Sequence, residues 1–339
     1  MKSRVTKQFT SVGAICVLAV MLLTTASAAT SLKTGLKVFV IPKNLGNPYF
    51  TTSDGVKSGG ALKALQELKE QGKETSGTQA SASSQIPAIQ AAITKGANAL
   101  IVSATDASAL CPTLRQAMAR KIAVVTYDSD APTCRNLFIN QADTKAIGTS
   151  EVDLLAKQIN KTGEIAIVSA AASATNQNAW IGFMKQQLKK YPNVKLVDVV
   201  YGNDDPTVST QVTQGLLQKH PNLKGIISPT TVGISSAAQY LSHSKYKNKV
   251  TLTGLGTPNS LRKYVKDGTI EAFELWNPAD LGYLAAYAAV NYASGTITGK
   301  AGQTFKAGRL GNYKVGAKNT VLLGPPFVFN KANIDKFRF

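Results

Sequence analysis

The chain predicts an α/β protein built as two similar lobes, each a parallel sheet covered by helices. Three observations predict it. Short apolar runs rich in β-branched residues alternate with helical patterns about every 30 residues, the rhythm of βαβ units on a parallel sheet. That rhythm restarts after Asn140. The roughly 300 residues that follow the N-terminal apolar segment are also too many for one simple core.

The elements follow in order. Val38–Ile41 is a strand of β-branched and aromatic residues, stopped by Pro42, and residues 43–48 read as a polar loop. Tyr49 and Phe50 come next, just before a helical pattern expected from about Asp54. Helices are predicted over 61–69, 85–94 and 110–120, with strands over 99–103 and 123–127 and a more polar strand within 70–78. In the second half, helices are expected over 146–160, 178–190, 208–219 and 235–241. Strands are expected over 164–169, 196–201, 225–228, 250–254 and 269–274. No low-complexity linker separates the halves, which points to strand-like hinge crossings that permit closure around a ligand.

An open α/β sheet binds its ligand beyond the carboxyl ends of the strands, so the residues there are the candidates. After the first strand, Lys43 and Asn47 can hydrogen-bond, and Tyr49 and Phe50 offer flat apolar faces. Hydroxyls want polar partners and C–H faces want rings, so this mixture suits a sugar. The same two rings would equally serve to pack the first helix onto the sheet. Asp128 ends the strand 123–127, and a carboxylate can accept from two vicinal hydroxyls. Asn140 stands at the handover between lobes, and Asn176-Gln177 opens a helix, where capping is the competing role. Pro229-Thr230-Thr231-Val232-Gly233 ends the strand 225–228, and Trp276 follows 269–274. Asp204-Asp205 lacks the calcium-loop pattern and reads as a turn and N-cap.

Other chemistries find little support. Asp128 and Asp130, two residues apart in a loop, do not make the carboxylate pair that flanks a scissile glycosidic bond. No nucleophile elbow, dinucleotide fingerprint or phosphate-binding loop occurs, and no cofactor or metal is expected. Residues 1–28 have the form of a secretory leader: basic Lys2, Arg4 and Lys7, an apolar stretch from Val12 to Leu23, and Ala26-Ser27-Ala28 before the cleavage point. Cys16 lies inside that leader. Cys111 and Cys134 remain, and in an oxidising compartment an even pair reads as a disulfide before it reads as a metal site. Taking the three leader charges from 38 Lys and Arg leaves 35 against 19 acidic residues. Such an excess raises nucleic acid or an anionic membrane as partners, but the lysines are scattered singly, with no dense run interleaved with aromatics. The reading is an exported protein with a basic, solvated surface and no nucleic-acid partner.

Taken together, several windows resemble the periplasmic sugar-binding proteins of ABC importers, in the branch of the ribose-binding proteins, and within it the rhamnose-binding proteins and autoinducer-2 receptors. The windows are PKNLGNPYF (42–50), VTYDSDAPTCR (125–135), FINQA (138–142), SATNQNAW (173–180), SPTTVG (228–233), GLGTPN (254–259), LWNPADLGYLA (275–285) and VFNKANIDKF (328–337). The resemblance implies two Rossmann-like lobes, three hinge crossings, a monosaccharide enclosed between the lobes, a permease in the inner membrane as partner, and a monomer in the periplasm. It implies a first lobe of 35–139 with about 276–318, and a second of 140–275 with about 319–339. It also implies ligand contacts from Lys43, Asn47, Tyr49, Phe50, Asp128, Asn140, Asn176, Gln177, Pro229, Thr231 and Trp276. Autoinducer-2 receptors carry Asp-Gln where this chain has Asn176-Gln177, and Ala at Thr231. A deoxyhexose such as L-rhamnose is therefore the expected ligand, with autoinducer-2 the alternative and a sugar-modifying enzyme a more distant one. Sugar-responsive repressors share the fold but need an N-terminal DNA-binding module, where this chain has a leader.

Overall fold

The computed structural model describes Met1 and residues 31–339, so the expected leader falls, apart from Met1, outside the described residues. The first lobe begins β1 (Lys37–Ile41), α1 (Pro48–Asp54), α2 (Ala61–Glu67), β2 (Gln71–Glu74), α3 (Ala82–Thr94), β3 (Ala99–Val102), α4 (Ala107–Ala119), β4 (Ala123–Tyr127) and β5 (Leu137–Asn140). The second continues with α5 (Thr144–Gln158), β6 (Gly163–Ser169), α6 (Thr175–Leu188), β7 (Val194–Tyr201), α7 (Pro206–Lys219), β8 (Leu223–Ser228), α8 (Thr231–Ser242), β9 (Thr251–Gly254), α9 (Pro258–Lys266) and β10 (Ala272–Leu275). The chain ends with α10 (Pro278–Ser294), β11 (Thr304–Lys306), β12 (Asn312–Lys314), β13 (Thr320–Leu322) and β14 (Phe327–Asn330).

Two parallel sheets result, ordered β13-β5-β4-β3-β1-β2 in the first lobe and β7-β6-β8-β9 in the second. Successive residues of β1 enter different cores. Val38 and Val40 join the cluster that holds α10, and Phe39 and Ile41 join the one under α3 and α4. Both faces of the sheet are therefore covered, which is why β1 reads as a continuous apolar run rather than an alternating one.

The chain passes between lobes three times. The first passage runs from β5 to α5, which packs on α6, β8, β9 and β10. The second runs from β10 to α10, which returns to α1, α2 and β4. The third runs from β13 to β14, whose antiparallel partner is β10. This is the two-lobed architecture expected, with one boundary displaced. Residues 320–322 were expected in the second lobe, yet β13 pairs with β5 at the edge of the first sheet, Val321 opposite Ile139. The last passage therefore lies in 323–326. A three-residue edge strand carries too little periodicity to be read from sequence.

The first helix also differs from its expectation. It ends at Asp54 instead of beginning near it. Asn47 caps it, its Oδ1 accepting from the Tyr49 amide at 3.0 Å, and Pro48 occupies the first turn, where its missing N–H costs nothing. Two aromatics and two threonines gave this seven-residue segment no helical periodicity to detect. Gly282 of α10 fixes its position: a Cβ there would stand 1.8 Å from the Ser53 carbonyl oxygen, so only glycine lets the helices approach this closely.

Candidate functional site

The carboxyl ends of β1 and β4 in one lobe face those of β6 to β10 in the other, and between them lies a partly open cavity. Of the eleven residues expected at a ligand, ten line it: Lys43, Asn47, Tyr49, Phe50, Asp128, Asn176, Gln177, Pro229, Thr231 and Trp276. Asn140 does not. It ends β5, donates from Nδ2 to Thr144 Oγ1 at 3.4 Å, and borders a separate open depression with Asp130 and Arg135. Its place at the handover between lobes is as expected; the crossing turns its side chain away from the cavity.

The apolar wall is a chain of rings in edge-on and tilted contact. Tyr49 meets Phe50 with centroids 5.1 Å apart and Trp276 at 6.2 Å, and Trp276 meets Trp180 at 6.1 Å. Trp276 Nε1 donates to the Tyr49 hydroxyl at 2.8 Å, which locks a crossing residue to the first helix. Burial, then the charge of Asp128, push the Tyr49 hydroxyl well above its ordinary range, so it stays a neutral phenol. Behind Phe50, Tyr127 donates to both oxygens of Asp54 at 2.9 Å, and burial drives the Asp54 carboxyl upward. Tyr49 and Phe50 thus both line the cavity and pack α1 onto the sheet.

The polar centre is Lys43, Asp128 and Asn176. Lys43 Nζ lies 3.3 Å from Asp128 Oδ2, with both side chains 6% exposed, and donates to Asn176 Oδ1 at 3.4 Å. Asn176 Nδ2 reaches Asp128 Oδ1 at 3.3 Å, and Ser103 Oγ donates to Asp128 Oδ2 at 2.7 Å. Asp128 has φ of 58°, a left-handed conformation that Asp tolerates better than most residues and that turns its carboxylate into the cleft. Lys43 and Asp128 belong to the first lobe and Asn176 to the second, so this contact holds the lobes together. Further contacts line the seam: Ser129 Oγ lies 3.1 Å from Thr175 Oγ1, which donates to the Asp130 carbonyl at 3.0 Å, and Ser173 Oγ donates to the Thr105 carbonyl at 3.3 Å.

Two of the expected polar groups have part of their capacity committed. Asn47 spends Oδ1 on its cap. Gln177 Oε1 accepts from Ser169 Oγ at 2.6 Å and the Ala170 amide at 2.7 Å, which leaves its amide nitrogen for the cavity.

Sequence reasoning passed over Trp180, Asp204, Thr230, Leu255 and Leu275, which also line the cavity. Asp204 matters most. The turn and cap expected of Asp204-Asp205 are there, but Asp205 alone is the cap, accepting from the Val208 amide at 2.8 Å. Asp204, at φ of 50°, is buried and accepts from Thr230 Oγ1. Burial raises its carboxyl above the ordinary range, partly opposed by Lys43. The available signal was its position directly after a strand, at the end where ligands bind. Cys111 and Cys134 are joined as a disulfide with Cα atoms 5.3 Å apart, in the first lobe and away from the cavity lining. No cluster of three or more His, Cys, Asp or Glu able to hold a metal occurs among the described residues.

Residues 38–297 match the family described as Periplasmic binding protein domain. The chain belongs to that family. It is 25% identical over 250 residues, 70% of its length and 75% of the relative's, to the D-ribose/D-allose-binding protein of Pseudomonas aeruginosa. Among solved structures it is 36% identical to a solute-binding protein of an ABC transporter from Clostridium phytofermentas with bound L-rhamnose. That match has a TM-score of 0.85 and covers 89% of this chain and 98% of the other. A sugar ABC transporter protein from Actinomyces odontolyticus is 45% identical, with a TM-score of 0.70 over 91% and 100% of the two chains. LsrB from Clostridium saccharobutylicum in complex with AI-2 is 26% identical, with a TM-score of 0.84 over 90% and 100%. The periplasmic-binding architecture of two lobes about a cleft is thus shared along nearly the whole chain. No helix among the described residues is long and apolar enough to cross a membrane.

Proposed function

We propose that this periplasmic binding protein captures a deoxyhexose, L-rhamnose, between its lobes without chemical change and delivers it to the permease of an ABC importer after export to the periplasm. The observation that carries the reading is the combination of a ring-lined wall with a buried cation, carboxylate and amide in one cavity. Aromatic faces suit the C–H surface of a pyranose and the methyl of a deoxysugar, and Asp128, Lys43 and Gln177 suit its hydroxyls. The 36% identical relative with bound L-rhamnose supports the same ligand. Binding favours the closed arrangement because only there do Asn176 and Gln177 on one lobe and Lys43 and Asp128 on the other reach one molecule.

Autoinducer-2 is the second reading, favoured by the likeness to LsrB in complex with AI-2. Against it, Asn176 supplies no carboxylate and Thr231 adds bulk beside Pro229. Calorimetric titration with L-rhamnose, other deoxysugars, D-ribose and autoinducer-2 separates the readings. Saturable binding of L-rhamnose, with matching thermal stabilisation, is the expected result. Binding of autoinducer-2 and of no monosaccharide would overturn it, and product formation on incubation with rhamnose would show an enzyme instead.

A further inference from the structure

The excess positive charge, 38 Lys and Arg against 19 acidic residues over the whole chain, has no role at the cleft, where Lys43 is paired with Asp128. Ten of these cations are gathered in one place. In the second lobe the connections entering the strands at their amino ends span 159–164, 189–195, 219–224, 243–250 and 266–271. Together they carry ten lysines against three carboxylates, Glu164, Asp267 and Glu271. These connections feed the neighbouring strands β6 to β9 and the adjacent β10, so parallel pairing gathers them at the end of the lobe opposite the cleft. Lys219, Lys247 and Lys266 are paired with Asp198, Asp267 and Asp335; the other seven have no carboxylate partner among the described residues and are exposed. Within this end, Lys224, Lys245 and Lys249 rim an open depression with Tyr246, over whose ring the Lys245 ammonium lies at 5.3 Å from the centroid.

We propose that this end of the second lobe is a docking surface for an anionic phospholipid membrane. The charge is spread across the width of a sheet of four strands, on the order of 15 to 20 Å, rather than focused on one pocket. Spread lysines match the smeared potential of a lipid surface, and they do not enclose any single anion. Tyr246, half-buried with its hydroxyl donating to the Leu217 carbonyl at 3.3 Å, is the amphipathic ring such an interface accommodates. Ligand and membrane occupy opposite ends of the same strands, so the two bindings are separable, and the inference does not rest on the identity of the sugar. Its consequence is a higher concentration of the protein beside the membrane.

The test is co-sedimentation of the mature protein with vesicles of phosphatidylcholine alone or with phosphatidylglycerol added. The expected result is binding only to the anionic vesicles, lost at high salt because the contacts are exposed. Each lysine near a charged bilayer contributes about 1 kcal/mol, or roughly fivefold in affinity. The variant Lys195→Gln/Lys224→Gln/Lys245→Gln/Lys249→Gln should thus bind on the order of a hundredfold more weakly or worse, with unchanged melting temperature and ligand affinity. The control Lys57→Gln/Lys300→Gln/Lys306→Gln/Lys314→Gln removes the same charge from exposed sites of the first lobe and should bind nearly as wild type. Equal loss in both variants would show a mere net-charge effect and overturn the proposal. So would indifference to lipid charge, or capture of soluble polyphosphate without capture of vesicles.

Discussion

Replacing Asp128 tests the polar centre most directly, because three groups converge on its carboxylate: Lys43 at 3.3 Å, Ser103 Oγ at 2.7 Å and Asn176 Nδ2 at 3.3 Å. Removing one member of a buried ion pair costs about 3–5 kcal/mol when the survivor stays buried. Here the survivor, Lys43, is enclosed partly by Asn176 from the other lobe, so opening the cleft returns it to water. The cost therefore falls on the closed state and only weakly on folding. Bonds from hydroxyls to a charged acceptor contribute about 1.5–3 kcal/mol each. Weakening one such bond and leaving Lys43 without its charge partner in the closed state should weaken L-rhamnose binding by about 3 kcal/mol in Asp128→Asn, roughly a hundredfold. Asp128→Ala, which also loses the acceptor shape, should bind at least tenfold more weakly again. Calorimetry with L-rhamnose measures the affinity, and urea unfolding of the ligand-free protein measures the fold, whose midpoint should move little. Binding by Asp128→Ala within threefold of wild type would refute the assignment of this strand end to the ligand. Equal losses of folding stability and affinity would refute the argument that closure bears the cost.

Other outcomes follow from the same structure. Trp276→Phe keeps a ring on the wall but leaves the buried Tyr49 hydroxyl without its donor, and should cost about 1–3 kcal/mol in thermal unfolding while weakening ligand binding. Burial, reinforced by Glu274, holds the Glu151 carboxyl well above the ordinary range, and neither of its oxygens has a protein partner among the described residues. The folded state therefore holds this proton more tightly than the unfolded chain. Stability is full below about pH 4.5 and falls as pH rises through the folded value. Glu151→Gln should remove that fall, so melting curves at pH 5 and pH 8 should converge in the variant relative to wild type. Replacing Cys111 and Cys134 together by Ser opens a loop spanning 23 positions and should cost about 3 kcal/mol in urea unfolding, with ligand affinity intact because the bridge lies outside the cavity lining.

Pattern carried the fold a long way. Short apolar β-branched runs bounded by turn residues and alternating with longer helical patterns read as buried strands, and they locate β1, β3, β4, β6 and β8 to within a few residues. Chain connectivity brings the segments after those strands to one cleft, and the resemblance to sugar-binding proteins singles out Lys43, Asp128, Asn176 and Thr231 within them, all four of which line the cavity. Rotation at the turns was beyond that reach. Asp204 faces the cavity and its neighbour Asp205 caps a helix because two consecutive left-handed residues, Asn203 and Asp204, reverse the chain. Asn140 looks away because the crossing to α5 engages it with Thr144. Tyr49 serves the cavity and the core at once only because Trp276, 227 residues later, returns to meet it. A sequence specifies which groups stand at the strand ends; the meeting of two lobes decides which of them share one enclosed volume. That decision rests on contacts between residues hundreds of positions apart, whose energies no local pattern contains.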